Sequence, residues 1–164
     1  MTQSTTVMGS LKKFEKGSLS IIDDNPKYYC HSNIFEVAST AKPYDKIAVA
    51  KNLEYVVEAI RAEGESAWFA AAHDEFVVVL DGEVTVSYAQ LGPSQIADSK
   101  DGTQRLKDDP RGKKVGTVYL KRGHQALLPK GMAYRFSAKS PSVMIQQTIA
   151  GELTIQKWAE ICTR

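Results

Sequence analysis

A hydrophobic run that ends in a glycine turn limits the fold of this chain more than any other feature. Residues 76–80 read Phe-Val-Val-Val-Leu, Asp81-Gly82 follows at once, and residues 83–88 then alternate between polar and apolar side chains. A short apolar run is typical of a buried strand, and Asp-Gly between two such segments favours a tight β-hairpin. The sequence therefore predicts an antiparallel hairpin at the centre of the chain.

Further short strands surround this segment. Residues 54–62 have some helical propensity, but the run Tyr-Val-Val at residues 55–57 favours a strand. Residues 156–164 are predicted to form one short helix. Strands are also predicted, between glycines and prolines, at residues 115–120, 125–128, 133–136, 143–149 and 153–155. Many short strands separated by turn residues indicate an all-β sandwich or barrel.

The barrel is predicted to cover residues 47–164, behind an N-terminal region at residues 1–46 that consists of a flexible arm (residues 1–17) and a leader (residues 18–46). The leader is unusually rich in aromatic residues, which predict packing either on the barrel or, as an interface, on another chain. These aromatic residues are Tyr28, Tyr29, Phe35 and Tyr44. Residues 92–114 hold prolines, glycines and many charged side chains, and they are predicted to form a long, solvated hairpin insertion.

Charge and composition exclude several functions. The net charge of +2 is too small for a protein that wraps nucleic acid. No stretch approaches the roughly 20 consecutive apolar residues of a membrane-spanning helix. No secretory signal is recognisable at the N-terminus. We therefore expect a cytoplasmic protein with no nucleic-acid or membrane partner, in which Cys30 and Cys162 are reduced thiols.

Turn residues recur at two sets of fixed offsets. Glu75 is followed by six residues and then Gly82, and Gly123 is followed by five residues, Pro129, one residue and Gly131. These spacings resemble the two motifs of the cupin superfamily, G-x5-H-x-H-x3 or x4-E-x6-G and G-x5-P-x-G-x2-H-x3-N. The resemblance implies a jelly-roll β-barrel, here with an extended N-terminal arm and a short C-terminal helix. In that superfamily three histidines and one glutamate converge on a divalent metal.

The two histidine positions of the first motif hold other residues. They fall at Phe69 and Ala71, or at Trp68 and Ala70 if the longer spacer applies. None of these side chains carries an imidazole nitrogen. The first motif therefore lacks two of its ligands in either alignment.

The second motif lacks its histidine as well, because that position falls at Tyr134, so that only Glu75 remains. A carboxylate and a phenol are a poor ligand set for the usual divalent metals, and we expect no metal or other cofactor on this chain. His73 has the same strand parity as Glu75, which would direct it into the barrel. A hydrogen-bonded structural role is expected for it in preference to that of a base or a ligand. The residues expected inside the barrel are Phe69, Ala71, His73, Glu75 and Tyr134.

Two stretches narrow the resemblance further. Residues 24–33, continued by residues 41–46, and residues 58–75 resemble the small subunit of the two-component hydroquinone 1,2-dioxygenases. The resemblance implies a large catalytic partner subunit, which binds iron(II) through two histidines and a carboxylate, in an α2β2 heterotetramer. The complex would cleave hydroquinone with O2 to 4-hydroxymuconic semialdehyde during the catabolism of 4-nitrophenol. This chain would hold no catalytic residue and would stabilise the large subunit.

Trp68 is the candidate substrate-binding residue, as a wall of the aromatic pocket in the partner subunit. Packing in the core or at an interface is the alternative for this side chain. Two other functions stay open. One is a metal-free sugar-nucleotide epimerase with His73 as base and Tyr134 as acid, although few arginines are available for a diphosphate. The other is a cupin that binds a small molecule without catalysis.

Overall fold

The computed structural model describes residues 9–25, 28–95 and 100–162. Within these ranges the chain is mostly strand, and its sheet curls into a half-barrel, which confirms the all-β prediction. The elements in chain order are α1 (Ile34–Thr40), β1 (Lys46–Asn52), β2 (Tyr55–Glu65), β3 (Phe69–Ala71), β4 (Glu75–Asp81), β5 (Glu83–Gln90), β6 (Thr103–Arg105), β7 (Lys114–Lys121), β8 (Gln125–Leu128), β9 (Met132–Ile149), β10 (Thr154–Ile155) and α2 (Trp158–Ile161).

Strand β9 connects most of the sheet. It is 18 residues long, and it pairs with β5 through its first part and with β2 and β4 through its second part. On the far sides, β7 pairs with β5, β8 with β4, and β1 with β2. Alternate residues of these strands face inward, and the enclosed apolar side chains form the main core.

The Asp81-Gly82 segment is a corner, and the prediction of a hairpin there is wrong. β4 and β5 do not pair with each other in the described structure. Both run antiparallel to β9, one after the other, so that together they form one bent strand. Gly82 has a φ of 78°, and a Cβ at this position would lie 2.2 Å from the hydroxyl oxygen of Ser142. Glycine therefore permits a close bend in the strand.

The insertion at residues 92–114 is less solvated than predicted. Its segment β6 adds to the edge of β3, with Ala71 opposite Thr103. Thr103 and Leu106 are buried. A charged, glycine-rich segment gives little sign of such pairing, because three residues are too few to show strand periodicity.

The leader contains a helix that the sequence analysis missed. The side chain of Asn33 caps α1 by accepting hydrogen bonds from the backbone N–H groups of Phe35 (2.9 Å) and Glu36 (3.3 Å). The helix buries Val37 against Ile47 of β1. A helix of seven residues is stabilised mainly by such tertiary packing, which is invisible in local sequence.

Cys30 and Cys162 form a disulfide, with their Cα atoms 5.1 Å apart, so the expectation of two reduced thiols is wrong for this structure. The two residues are separated by 132 positions, and only the folded chain brings the leader to the C-terminal end. Helix α2 agrees with the short helix predicted there. In the described ranges, every helix is too short or too polar to span a bilayer.

Candidate functional site

Alternation along β3 decides which residues occupy the positions of the first cupin motif. Phe69 lies in the main core, and it is directly opposite Tyr134 of β9. Ala71 has the same parity and is also buried. Trp68 and Ala70 instead belong to a small cluster on the other side of the strand. The shorter motif spacing therefore applies, and the two histidine positions are occupied by the apolar residues Phe69 and Ala71.

The carboxylate of Glu75 is held by three hydroxyl groups. Its Oε1 atom accepts hydrogen bonds from Thr103 (2.5 Å) and Thr148 (2.6 Å), and its Oε2 atom accepts one from Tyr134 (2.5 Å). All four side chains are buried. Burial and, next, the charge of Glu75 raise the pKa of Tyr134 well above its usual range, so its phenol stays protonated as a donor.

Gln146 and Lys46 extend this cluster across the barrel. The Gln146 amide donates to the hydroxyl oxygens of Thr103 and Tyr134, at 3.1 Å each. The Gln146 carbonyl oxygen accepts a 2.8 Å hydrogen bond from the Nζ atom of Lys46. The same Nζ lies 5.0 Å from the centroid of the Phe69 ring, close enough for a cation–π contact. A buried ammonium group thus lies beside the former ligand positions.

Lys46 also forms a buried ion pair with Glu58. The Nζ atom lies 3.8 Å from Glu58 Oε2, too far for a direct hydrogen bond. Thr154 donates to Oε1 at 2.7 Å, whereas Oε2 has no hydrogen-bond partner among the described residues. Burial lowers the pKa of Lys46 and raises the pKa of Glu58, because both charged forms lose their hydration. The pair is therefore costly to bury and sensitive to loss of either partner.

His73 lies at the edge of the Glu75 cluster. Its Nε2 atom accepts a hydrogen bond from the backbone N–H of Ile149 (3.3 Å) and lies 3.0 Å from the hydroxyl of Thr148. It is 3.9 Å from the nearest carboxylate oxygen of Glu75. These contacts engage the Nε2 atom of His73 within the protein.

The donor set does not fit a divalent metal. Of the four ligand positions of the cupin motifs, only Glu75 offers an oxygen of the usual kind, and both of its oxygens accept protein hydrogen bonds. In residues 9–25, 28–95 and 100–162, no three histidine, cysteine, aspartate or glutamate side chains cluster as a metal site would require. An epimerase is equally hard to build here, since Tyr134 is fully buried and a substrate could not reach its hydroxyl.

Comparison with solved structures first supports the fold. A cupin-2 domain protein from Shewanella frigidimarina matches with a TM-score of 0.50 at 16% identity, over 70% of this chain and 89% of that one. No protein-family model and no curated protein matches the chain.

Two further structures are much more similar. One is hydroquinone 1,2-dioxygenase PnpCD in complex with Cd2+ and 4-hydroxybenzonitrile, at 51% identity and a TM-score of 0.91, over 100% of this chain and 99% of that chain. The other is hydroquinone 1,2-dioxygenase from Sphingomonas sp. TTNP3 with 4-hydroxybenzoate bound, at 47% identity and a TM-score of 0.93, over 98% of each chain. The chain belongs to the hydroquinone 1,2-dioxygenase family.

PnpCD contains two kinds of chain that share the fold of this protein to different degrees. In its complex with Fe3+, a second kind of chain matches at only 9% identity, over 85% of this protein but 39% of the PnpCD chain. That chain is therefore much longer, and the present protein corresponds to the shorter subunit of a hydroquinone 1,2-dioxygenase.

Trp68 lies outside the barrel interior and is half-buried. The segment before it is fixed to β9, because Ser66 N–H donates to the Phe136 carbonyl (2.9 Å) and Ser66 Oγ accepts from Phe136 N–H (3.0 Å). The Trp68 carbonyl accepts from Leu106 N–H at 2.9 Å. The structure thus separates Trp68 from Phe69 and the other predicted interior residues.

The four aromatic residues of the leader fall into two groups. Tyr44 stacks on Phe136 of the barrel and donates to the Gly64 carbonyl at 2.6 Å, and burial raises its pKa to about 12. Phe35 is half-buried beside Gly9. Tyr28 and Tyr29 are exposed, at 77% and 44%. Packing within the chain therefore accounts for Tyr44, whereas an interface stays the prediction for Tyr28, Tyr29 and Phe35.

Sequence reasoning missed most partners of Glu75. Gln146 and Thr148 are polar residues at inward positions of β9, and this break in an apolar alternation is the signal that could have found them. Lys46 could not be found in this way, since a lysine at the start of a strand is usually exposed. Thr103 comes from the insertion, whose pairing with β3 has no local signature.

Proposed function

We propose that this chain is the non-catalytic, accessory subunit of an iron(II)-dependent hydroquinone 1,2-dioxygenase. The longer partner subunit would hold the iron and cleave hydroquinone with O2 to 4-hydroxymuconic semialdehyde. The observation that carries the proposal is the occupied carboxylate of Glu75, whose hydrogen bonds to Thr103, Thr148 and Tyr134 fill the place of a cupin metal. A barrel with this interior is suited to act as a scaffold.

The accessory role would be to stabilise the large subunit in an α2β2 heterotetramer and to complete its substrate pocket. The exposed Tyr28 and Tyr29 are suited to an interface, because tyrosine buries a large area while keeping a polar end. Trp68 is the residue proposed to border the pocket. The two similar hydroquinone 1,2-dioxygenases were solved with para-substituted phenols bound, 4-hydroxybenzonitrile and 4-hydroxybenzoate. Such ligands fit a role in the breakdown of 4-nitrophenol and related phenols.

We place the complex in the cytoplasm. The disulfide does not oppose this, because Cys30 is exposed and cellular thiols could reach and reduce the bridge.

The decisive experiment is to purify this chain, its large partner subunit, and the two co-expressed. Each preparation is supplied with iron(II) and hydroquinone, and ring cleavage is followed by the absorbance of the semialdehyde. Activity that is high only in the pair supports the accessory role. Turnover by this chain alone would contradict it, and full activity of the large subunit alone would show that this chain is not required.

A further inference from the structure

Trp68 and Arg135 form a pair on the outer face of the barrel. In β9 the neighbours Tyr134 and Phe136 face the interior, so Arg135 between them faces outward. Its guanidinium carbon lies 4.7 Å from the centroid of the Trp68 ring. This distance is typical of a cation–π contact, in which the planar guanidinium covers one face of the indole.

The guanidinium is itself fixed in place. Arg135 Nη1 donates to Glu65 Oε1 at 2.8 Å, and Glu65 ends β2 just before the segment that leads to Trp68. This ion pair favours the orientation in which the guanidinium lies over the indole, with the modest strength of a partly exposed pair. Glu65, Arg135 and Trp68 therefore form a chain of contacts that ends on the indole ring.

The indole ring has few other directional restraints. Its backbone carbonyl is bonded to Leu106, and part of the ring packs against the small apolar cluster around Ala133. The indole N–H has no hydrogen-bond partner in the described part of the chain, although the side chain is half-buried. An indole ring held between Arg135 and this apolar cluster is suited to contact an aromatic ligand.

We propose that Arg135 is a positioning residue that holds the Trp68 indole in the orientation that faces the substrate pocket of the partner subunit. This inference rests on the proposed function. Arg135 acts on the substrate only through Trp68, and Glu65 acts through Arg135. The expected consequence is an effect on substrate binding and on selection among para-substituted hydroquinones, with the chemical step little changed.

Kinetics of the assembled complex test the proposal first. Arg135→Ala is expected to raise KM by about two- to fivefold, in line with the strength of a cation–π contact, with kcat nearly constant. Arg135→Lys should recover only part of the loss, because an ammonium cannot stack as a guanidinium does. Arg61→Ala is the matched control, since Arg61 also pairs with a glutamate, Glu63, at 2.7 Å, and it takes part in neither of the cation–π contacts of the described residues.

The orientation of the ring needs a second measurement. This chain is labelled with 5-fluorotryptophan, combined with unlabelled partner, and examined by fluorine NMR. It has two tryptophans, Trp68 and Trp158, and Trp158 lies in α2, so its signal is an internal reference. Arg135→Ala should shift or broaden the Trp68 resonance and leave that of Trp158 unchanged. An unmoved Trp68 resonance, or an unchanged KM in an active complex, would overturn the proposal. An inactive wild-type pair would instead contradict the proposed function.

Discussion

The inside of the barrel and the outer face around Trp68 use aromatic and charged residues in opposite ways. Inside, Tyr134 donates to Glu75, and Lys46 is enclosed by Gln146, Glu58 and the Phe69 ring. Outside, Arg135 stacks on Trp68 while water and any partner can still reach the pair. In the interior, hydrogen bonds join Glu75, Tyr134, Gln146 and Lys46 into one buried network, which specifies structure. The outer pair leaves part of the half-buried Trp68 side chain available for binding.

The largest expected effect is on the interior. Lys46→Met leaves Glu58 buried without its cation, and loss of one partner of a buried ion pair typically costs about 3–5 kcal/mol. Urea denaturation of the variant should show this loss of stability. The matched control is Lys46→Met combined with Glu58→Gln, which removes both charges and should recover most of the stability. A double variant as unstable as the single one would show that the ion pair with Glu58 is not the source of the lost stability.

This contrast also explains what could be predicted from sequence. Turn residues with fixed spacing, such as Pro129 and Gly131, predicted the fold. The spacing alone left two alignments of the first motif open, and only the burial of Phe69 in the main core decided between them. The direction of the chain at Gly82 was not predictable, because a tight turn and a bend in one strand use the same glycine geometry. The partners of Glu75 come from distant segments, and local patterns carry no information about which of them meet.

The outer face is expected to affect turnover and not folding. Trp68→Ala in the assembled complex should lower kcat/KM about tenfold, which corresponds to about 1.4 kcal/mol of lost transition-state binding. The matched control is Trp158→Ala, because Trp158 lies in the short C-terminal helix. Steady-state kinetics with size-exclusion chromatography separate the two roles of Trp68. Unchanged kinetics, or a complex that dissociates, would remove Trp68 from the pocket.

A smaller effect is expected in the pH dependence of stability, and it again belongs to the interior. The pKa of buried Glu58 is raised from 4.5, so above pH 4.5 the folded state retains a proton that the unfolded state has lost. Stability due to Glu58 therefore falls as the pH rises from 4.5 through its folded pKa. The pKa of Lys46 is lowered from 10.5, so the unfolded state binds more protons just below 10.5, and stability rises with pH there.

The wild type and the variant lacking both charges of this pair isolate these two changes. The unfolding free energy of the wild type minus that of the variant is measured by urea denaturation across the pH range. As the pH increases, this difference should fall above pH 4.5 and rise again just below pH 10.5. Parallel curves would mean that the buried pair does not titrate differently in the folded and unfolded states.

The smallest effect on the chain itself is expected at Tyr28, the most exposed of the leader aromatics. Tyr28→Ser should change its unfolding free energy by less than about 0.5 kcal/mol, as is usual for surface substitutions. Tyr44→Phe is the contrasting variant, because it removes the hydrogen bond to Gly64 and should cost about 1 kcal/mol. Binding of the large subunit, measured by calorimetry, should weaken for Tyr28→Ser and stay unchanged for Tyr44→Phe. The reverse order would place the interface on the barrel face around Tyr44, and the exposed tyrosines of the leader would then need another explanation.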